Sequence, residues 1–165
     1  SRPGLAYTNI ISRKTEYNCI NFGFSGNGHL EPSVGSILSK IKTNYYVIDC
    51  LPNADMKLIK LNTIPLIESI RSSKNSNDKP IIFVEQPECH DDYIEENIYE
   101  KNNTLKKEIQ NAIKIGYKRI YLIDSEDCIG KDNEATVDGV HYNDIGFKRF
   151  AEHLIIKLKK LKIDF

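Results

Sequence analysis

The chain carries no excess of either charge: Lys plus Arg and Asp plus Glu number 23 each in 165 residues. No field of one sign therefore draws it to nucleic acid or to an acidic membrane surface. No apolar run approaches the roughly 18 residues that a membrane-spanning helix requires. No C-x-x-C pair occurs; Cys19, Cys50, Cys89 and Cys128 are spread almost evenly. That spacing excludes a metal clip and favours buried free thiols over a disulfide framework. Hairpin turn signals, internal repeats and low-complexity tracts are missing as well. The first residues, Ser1-Arg2-Pro3-Gly4, hold no apolar signal-peptide core. The length suits one domain over 1–165, enough to bury a single core. Lysine predominates among the basic residues and asparagine is plentiful, which reads as a solvated, bacterial surface.

What is present alternates. Residues 5–14 place Leu5, Ala6, Tyr7, Ile10 and Ile11 at helical spacing after the Pro3-Gly4 break. Cys19-Ile20-Asn21-Phe22 is predicted as a compact strand, which ends in the small-residue turn 23–28. A helix follows with Pro32 in its first turn and Val34, Ile37, Leu38 and Ile41 on one face. Residues 45–50 are nearly continuous in apolar character, as a strand buried on both faces should be. Helical periodicity runs from Asp55 to about Ser73, where Pro65 predicts a kink or split and Thr63 a second cap. Strands are expected at 81–84 and 120–123. Between them lies a helix over 94–115, with Leu105, Ile109, Ala112 and Ile113 inward and Gly116 at its end. The last helix carries Phe147, Phe150, Ala151, Leu154, Leu158 and Leu161 on one face, and its Lys-rich end complements the helix dipole. Alternating strands and helices with short connections predict a three-layer α/β/α fold around a parallel sheet.

Ligands of such sheets bind beyond the carboxyl ends of the strands. Topology therefore gathers Ser25 to Gly28, Asn53, Glu85, and Asp138 with His141 toward one end. Asp138 stands three residues before His141 in a Gly-containing loop that opens the last helix. A His needs a partner on one ring nitrogen to fix its tautomer, and a carboxylate at this spacing supplies one. The plain alternative is a helix start, with Asn143 capping and Asp138 a turn residue. Ser25-Gly26-Asn27-Gly28 reads either as turn chemistry or as a backbone N–H aimed at a substrate. Ser25 as a nucleophile on a G-x-S-x-G elbow fails at the fifth position, where Asn27 stands. Asn53 is a turn residue after Pro52, or a neutral amide donor for an oxyanion. Glu85, and His90 beside Cys89, read as a solvated acidic rim, and Cys50 as core.

Three of these blocks together resemble the SGNH hydrolase superfamily, the GDSL-like lipases and acylhydrolases. They are most similar to a bacterial branch rich in carbohydrate and small-acyl esterases. Asn21 to Gly28 is similar to the family's second block, whose Gly donates a backbone N–H to an oxyanion hole, a role that falls on Gly26. Asp49-Cys50-Leu51-Pro52-Asn53 is similar to the third block, whose Asn donates its side-chain amide, a role that falls on Asn53. The usual glycine of that block is missing, and Ala54 stands where Asp commonly follows. Asp138-Gly139-Val140-His141, extended through Phe147, is similar to the fifth block, D-x-x-H.

The first block, G-D-S or G-T-S, occurs nowhere in these residues. The resemblance therefore implies a flavodoxin-like fold whose first strand and serine lie upstream or on a separate polypeptide. The implied activity is a serine-dependent esterase with no metal or organic cofactor, acting on a small-molecule or glycan ester. His141 is its base, Asp138 the orienter, and Gly26 and Asn53 the oxyanion donors. The alternative on the same fold is a non-catalytic module that binds carbohydrate or a partner.

Overall fold

The computed structural model describes residues 2–87 and 92–163, and of 92–96 the backbone only. In chain order, a 3₁₀ turn at Pro3–Leu5 precedes helix α1 (Tyr7–Thr15), helix α2 (Pro32–Leu38) and strand β1 (Tyr46–Ile48). A second 3₁₀ turn at Leu51–Asn53 leads to helix α3 (Met56–Arg71) and strand β2 (Ile81–Val84). Helix α4 (Asp92–Lys114), strand β3 (Ile120–Ile123) and helix α5 (Asp144–Lys160) complete the order. Two compact units emerge: Phe24–Gln86 with Glu96–Asp124, and Ser1–Gly23 with Pro87–Glu95 and Ser125–Phe165.

The first of these units holds the sheet. Its strands are parallel in the order β1-β2-β3, with Val47 opposite Ile82 and Ile82 opposite Tyr121. Every residue of β2 is buried, so both faces of the central strand are covered, as the continuous apolar runs demand. Ile81 and Phe83 face a core built with Ile59, Leu66, Ile67, Ile70, Leu105, Ile109 and Ala112. Each of the larger side chains contributes about 1.5–3 kcal/mol by leaving water. Asp55 caps α3, accepting the Leu58 N–H at 2.7 Å. Gly116, at φ +110, ends α4, and the Tyr117 N–H returns to the Ala112 carbonyl at 3.1 Å.

Four sequence expectations are corrected here. Residues 19–22 are not a strand of the sheet. The Cys19 N–H donates instead to Ser12 Oγ at 3.0 Å, the Gly23 N–H to Asn21 Oδ1 at 2.9 Å, and Ile20 is 59% exposed. Side-chain oxygens have taken bonds that a neighbouring strand would otherwise supply. Pro65 does not split α3, which runs through it. A helix-interior proline costs about 3 kcal/mol, and the buried Ile59, Leu66, Ile67 and Ile70 of the same helix outweigh that. Thr63 is no cap; it is buried and donates to the Ile59 carbonyl at 2.7 Å. Ile37 and Ile113, expected inward, are exposed. On α2 the contact is made by Gly35, where an added Cβ would lie 2.9 Å from Ser69 Cβ and 3.0 Å from the Leu66 carbonyl. Close backbone approach replaces the expected apolar side chain there.

The second unit packs α1 against α5. Tyr7 meets the Phe150 ring edge-on at 5.0 Å, and Lys14 pairs with Glu152 at 2.6 Å. Ile10, Ile11, Phe150, Ala151, Leu154 and Leu158 are buried, and the last four match the predicted face of the final helix. Leu161, predicted on that face, is only partly buried. No helix among the described residues is long and apolar enough to cross a membrane.

Candidate active site

The loop before α5 builds the Asp138–His141 pair from local bonds. Asn143 caps the helix, accepting the N–H groups of Ile145 (2.9 Å) and Gly146 (3.1 Å). Its amide also donates backward to the carbonyls of Glu134 (2.7 Å) and Thr136 (3.3 Å). Thr136 and Tyr142 form an isolated antiparallel bridge, with the Val137 N–H on the His141 carbonyl at 2.9 Å. Gly139, at φ +85, turns the chain between them, and its N–H reaches Thr136 Oγ1 at 3.1 Å. Tyr142 packs edge-on against Phe147 at 5.6 Å and lies 5.2 Å from Phe150, which ties the residue after His141 to the helix.

Within this frame Asp138 Oδ1 accepts the backbone N–H groups of Val140 (3.0 Å) and His141 (2.7 Å). Its other oxygen, Oδ2, lies 2.7 Å from His141 Nδ1. The His141 backbone N–H, then the ring contact and the Val140 N–H, pull the Asp138 carboxyl down to about 2. An ionised carboxylate only accepts, so Nδ1 of the neutral ring carries the proton and Nε2 presents a lone pair. The His141 side chain is 78% exposed and that of Asp138 51%. The capping role of Asn143 and the carboxylate–imidazole pair, alternatives at the level of sequence, coexist.

Loop 127–134 is held to the same helix. Arg149 grips Asp132 with two bonds of 2.6 Å and donates to the Ile129 carbonyl at 2.9 Å. A methyl on Gly130 would sit 2.6 Å from Arg149 Nη1, and one on Gly146 only 2.1 Å from the Ala135 carbonyl oxygen.

In the sheet-bearing unit, residues 24–28 make a tight turn. Ser25 and Gly26 both have positive φ (45° and 85°), and the Asn27 N–H closes on the Phe24 carbonyl at 3.2 Å. Gly26 is exposed, with open space where a Cβ would go. Asn53 is exposed at the end of its 3₁₀ turn, its N–H on the Cys50 carbonyl at 3.1 Å. The glycine against its side chain is Gly28: a Cβ there would lie 3.7 Å from Asn53 Nδ2 and 3.0 Å from Cys50 Cβ. Among the described residues, Ser25 Oγ makes no hydrogen bond. Burial, then the neighbouring Asp49 and Glu31 charges, push the Cys50 thiol up to about 12, so it stays protonated and a poor nucleophile. Glu85 continues β2 through its N–H on the Ile123 carbonyl at 3.0 Å; Cys89 and His90 lie outside the described residues.

One residue at this turn was not singled out from sequence. Lys101 Nζ donates to the carbonyls of Leu51 (3.2 Å) and Pro52 (3.3 Å). Its place three residues after Ile98 and four before Leu105, both fully buried, is the signal that puts it on the inner face of α4. No group of three or more metal-ligating side chains occurs among the described residues.

No curated protein matches the chain. Among solved structures, a "putative GDSL-like lipase" from Bacteroides ovatus ATCC 8483 superposes with a TM-score of 0.92 and 34% sequence identity, over 100% of this chain. The salicylyl-acyltransferase SsfX3 of a tetracycline biosynthetic pathway shares the fold, with a TM-score of 0.79 at 14% identity over 98% of this chain. The chain spans about half the length of each, 50% in both cases. The sequence model of the GDSL-like lipase/acylhydrolase family matches residues 1–159, and the chain belongs to that family.

Proposed function

We propose that this chain carries the base, its orienter and the oxyanion donors of a serine-dependent ester hydrolase. Its substrates are small acyl esters, acetylated carbohydrates among them. The nucleophilic serine comes from outside these 165 residues, which contain no G-D-S or G-T-S. The observation that carries the reading is the 2.7 Å bond between Asp138 Oδ2 and His141 Nδ1.

With Nδ1–H held by the carboxylate, His141 Nε2 takes the serine Oγ proton as Oγ bonds to the ester carbonyl carbon. The carbonyl π pair moves to oxygen, where the Gly26 N–H and the Asn53 amide stabilise the charge. Collapse expels the alcohol oxygen, which receives the proton from Nε2. Water then repeats the sequence on the acyl-serine, releasing the acid and restoring the serine. Asp138 stays ionised throughout and stabilises the imidazolium.

The test is hydrolysis of p-nitrophenyl acetate by the whole protein as its gene encodes it. His141→Ala should abolish the activity, and unchanged turnover in that variant would remove the role given to His141.

A further inference from the structure

We infer that Lys101 is a positioning residue for Asn53, holding the Leu51–Asn53 turn so that the Asn53 amide meets the oxyanion; the inference rests on the esterase reading. Two successive carbonyls before Asn53 converge on one ammonium, Leu51 O at 3.2 Å and Pro52 O at 3.3 Å. The Pro52 carbonyl belongs to the peptide plane that ends at the Asn53 nitrogen. That plane carries the Asn53 nitrogen and Cα, so holding it, with the Asn53 N–H on the Cys50 carbonyl, limits the directions from which the Asn53 side chain leaves the backbone. The other bonds of the turn are short-range, Asn53 N–H to Cys50 O and Ala54 N–H to Leu51 O, each at 3.1 Å. Among the described residues, Lys101 supplies the long-range hydrogen bonds to this turn.

The third donor position of the ammonium faces Gln86 Oε1 at 3.5 Å. The next residue, Asn102, clamps the Gln86 backbone on both sides, accepting its N–H and donating to its carbonyl, each at 2.9 Å. One turn of α4 thus holds the chain beyond β1 and the chain beyond β2 in a fixed relation. Lys101 is only 8% exposed. Burial lowers its pKa, opposed by the Asp55 charge. A buried ammonium is costly, and an apolar side chain of the same length would fill the space without that cost. What the lysine adds is two directed donors at the turn that carries Asn53 and a third toward Gln86.

The test uses the whole protein with Lys101→Met, Lys101→Gln, Asn53→Ala and the double variant Lys101→Met/Asn53→Ala. It reads kcat and KM on p-nitrophenyl acetate and amide hydrogen exchange at Asn53 and Ala54. Lys101→Met should lower kcat about 10- to 100-fold, the cost of a misplaced catalytic donor, with KM changed less than about twofold. In the Asn53→Ala background the same change should cost almost nothing further. Exchange at Asn53 and Ala54 should quicken while Ile81–Val84 stays protected, and Lys101→Gln, keeping an amide donor, should recover part of both effects. Should Lys101→Met fail to fold, Lys101→Gln against Asn53→Ala supplies the same comparison.

Fully multiplicative losses in the double variant, or unchanged exchange at the turn, would overturn the inference. An unchanged kcat in Asn53→Ala would instead overturn the esterase reading of this turn. Hydrogen exchange alone would then decide whether Lys101 orders it.

Discussion

The loop that presents His141 and the turn that presents Asn53 reach fixed geometry by opposite routes. Between Thr136 and Gly146 the bonds that set the imidazole are local: Asp138 to His141, Gly139 to Thr136, Asn143 to its own helix start. At Leu51–Asn53 the decisive bonds cross about half a hundred positions of sequence, separations of 50 and 49 to Lys101. A local motif assembles wherever its helix forms. A distant clamp exists only once the sheet and α4 have packed. Loss of a distant support should therefore leave the dyad intact, and loss of the dyad should leave the turn intact.

The largest expected effect is at the dyad. His141→Ala should reduce kcat/KM for p-nitrophenyl acetate by about 10⁴-fold or more, and Asp138→Asn by roughly 10³–10⁴-fold through the wrong tautomer. Hydrogen exchange at Asn53 should stay as in the wild type in both variants. Next comes Asn53→Ala, with an expected kcat loss of about 10²–10³-fold and an unchanged Asp138 titration.

Gly146→Ala probes the frame rather than the chemistry. Its methyl would meet the Ala135 carbonyl at 2.1 Å, and urea unfolding should show a loss of about 2–3 kcal/mol. Gly26→Ala, with open space around it and only a φ of +85° to strain, should cost about 1 kcal/mol.

The smallest effect is a titration. Asp138 has a folded pKa of about 2 against an ordinary 3.8. A depressed carboxylate pKa contributes stability that is present above the unfolded value and is lost as pH falls through the folded one. The Asp138 contribution should therefore persist from neutral pH to below about 4 and disappear near 2, with its carboxyl ¹³C midpoint close to 2. A midpoint at 3.8 would mean that the three bonds to Asp138 do not hold in solution.

Much of this architecture was legible in the residues, and the failures share a cause. The runs at 81–84 and 120–123 are apolar throughout and that at 45–50 nearly so, a pattern that a two-faced buried strand requires, and all three contain strands. The run at 19–22 looked equivalent, yet burial and pairing are supplied by neighbours that its own sequence does not specify. Pro65 signals a kink or a split, and the split is absent because helix continuity is decided by the buried face of α3. The Asp138–His141 spacing was readable because three residues suffice to bring the groups together. Lys101 was not singled out, since its role depends on two carbonyls in a remote turn. The closeness of Gly28 to Asn53, where an added Cβ would lie 3.7 Å from the amide nitrogen, is likewise a matter of packing that spacing does not encode.

The central claim, that His141 serves a serine these 165 residues do not contain, is tested most directly by covalent labelling. The whole protein would be treated with a fluorophosphonate and the modified peptide located by mass spectrometry. The account predicts one labelled serine outside residues 1–165, with labelling lost in His141→Ala. A label on Ser25, or undiminished labelling in His141→Ala, would contradict it.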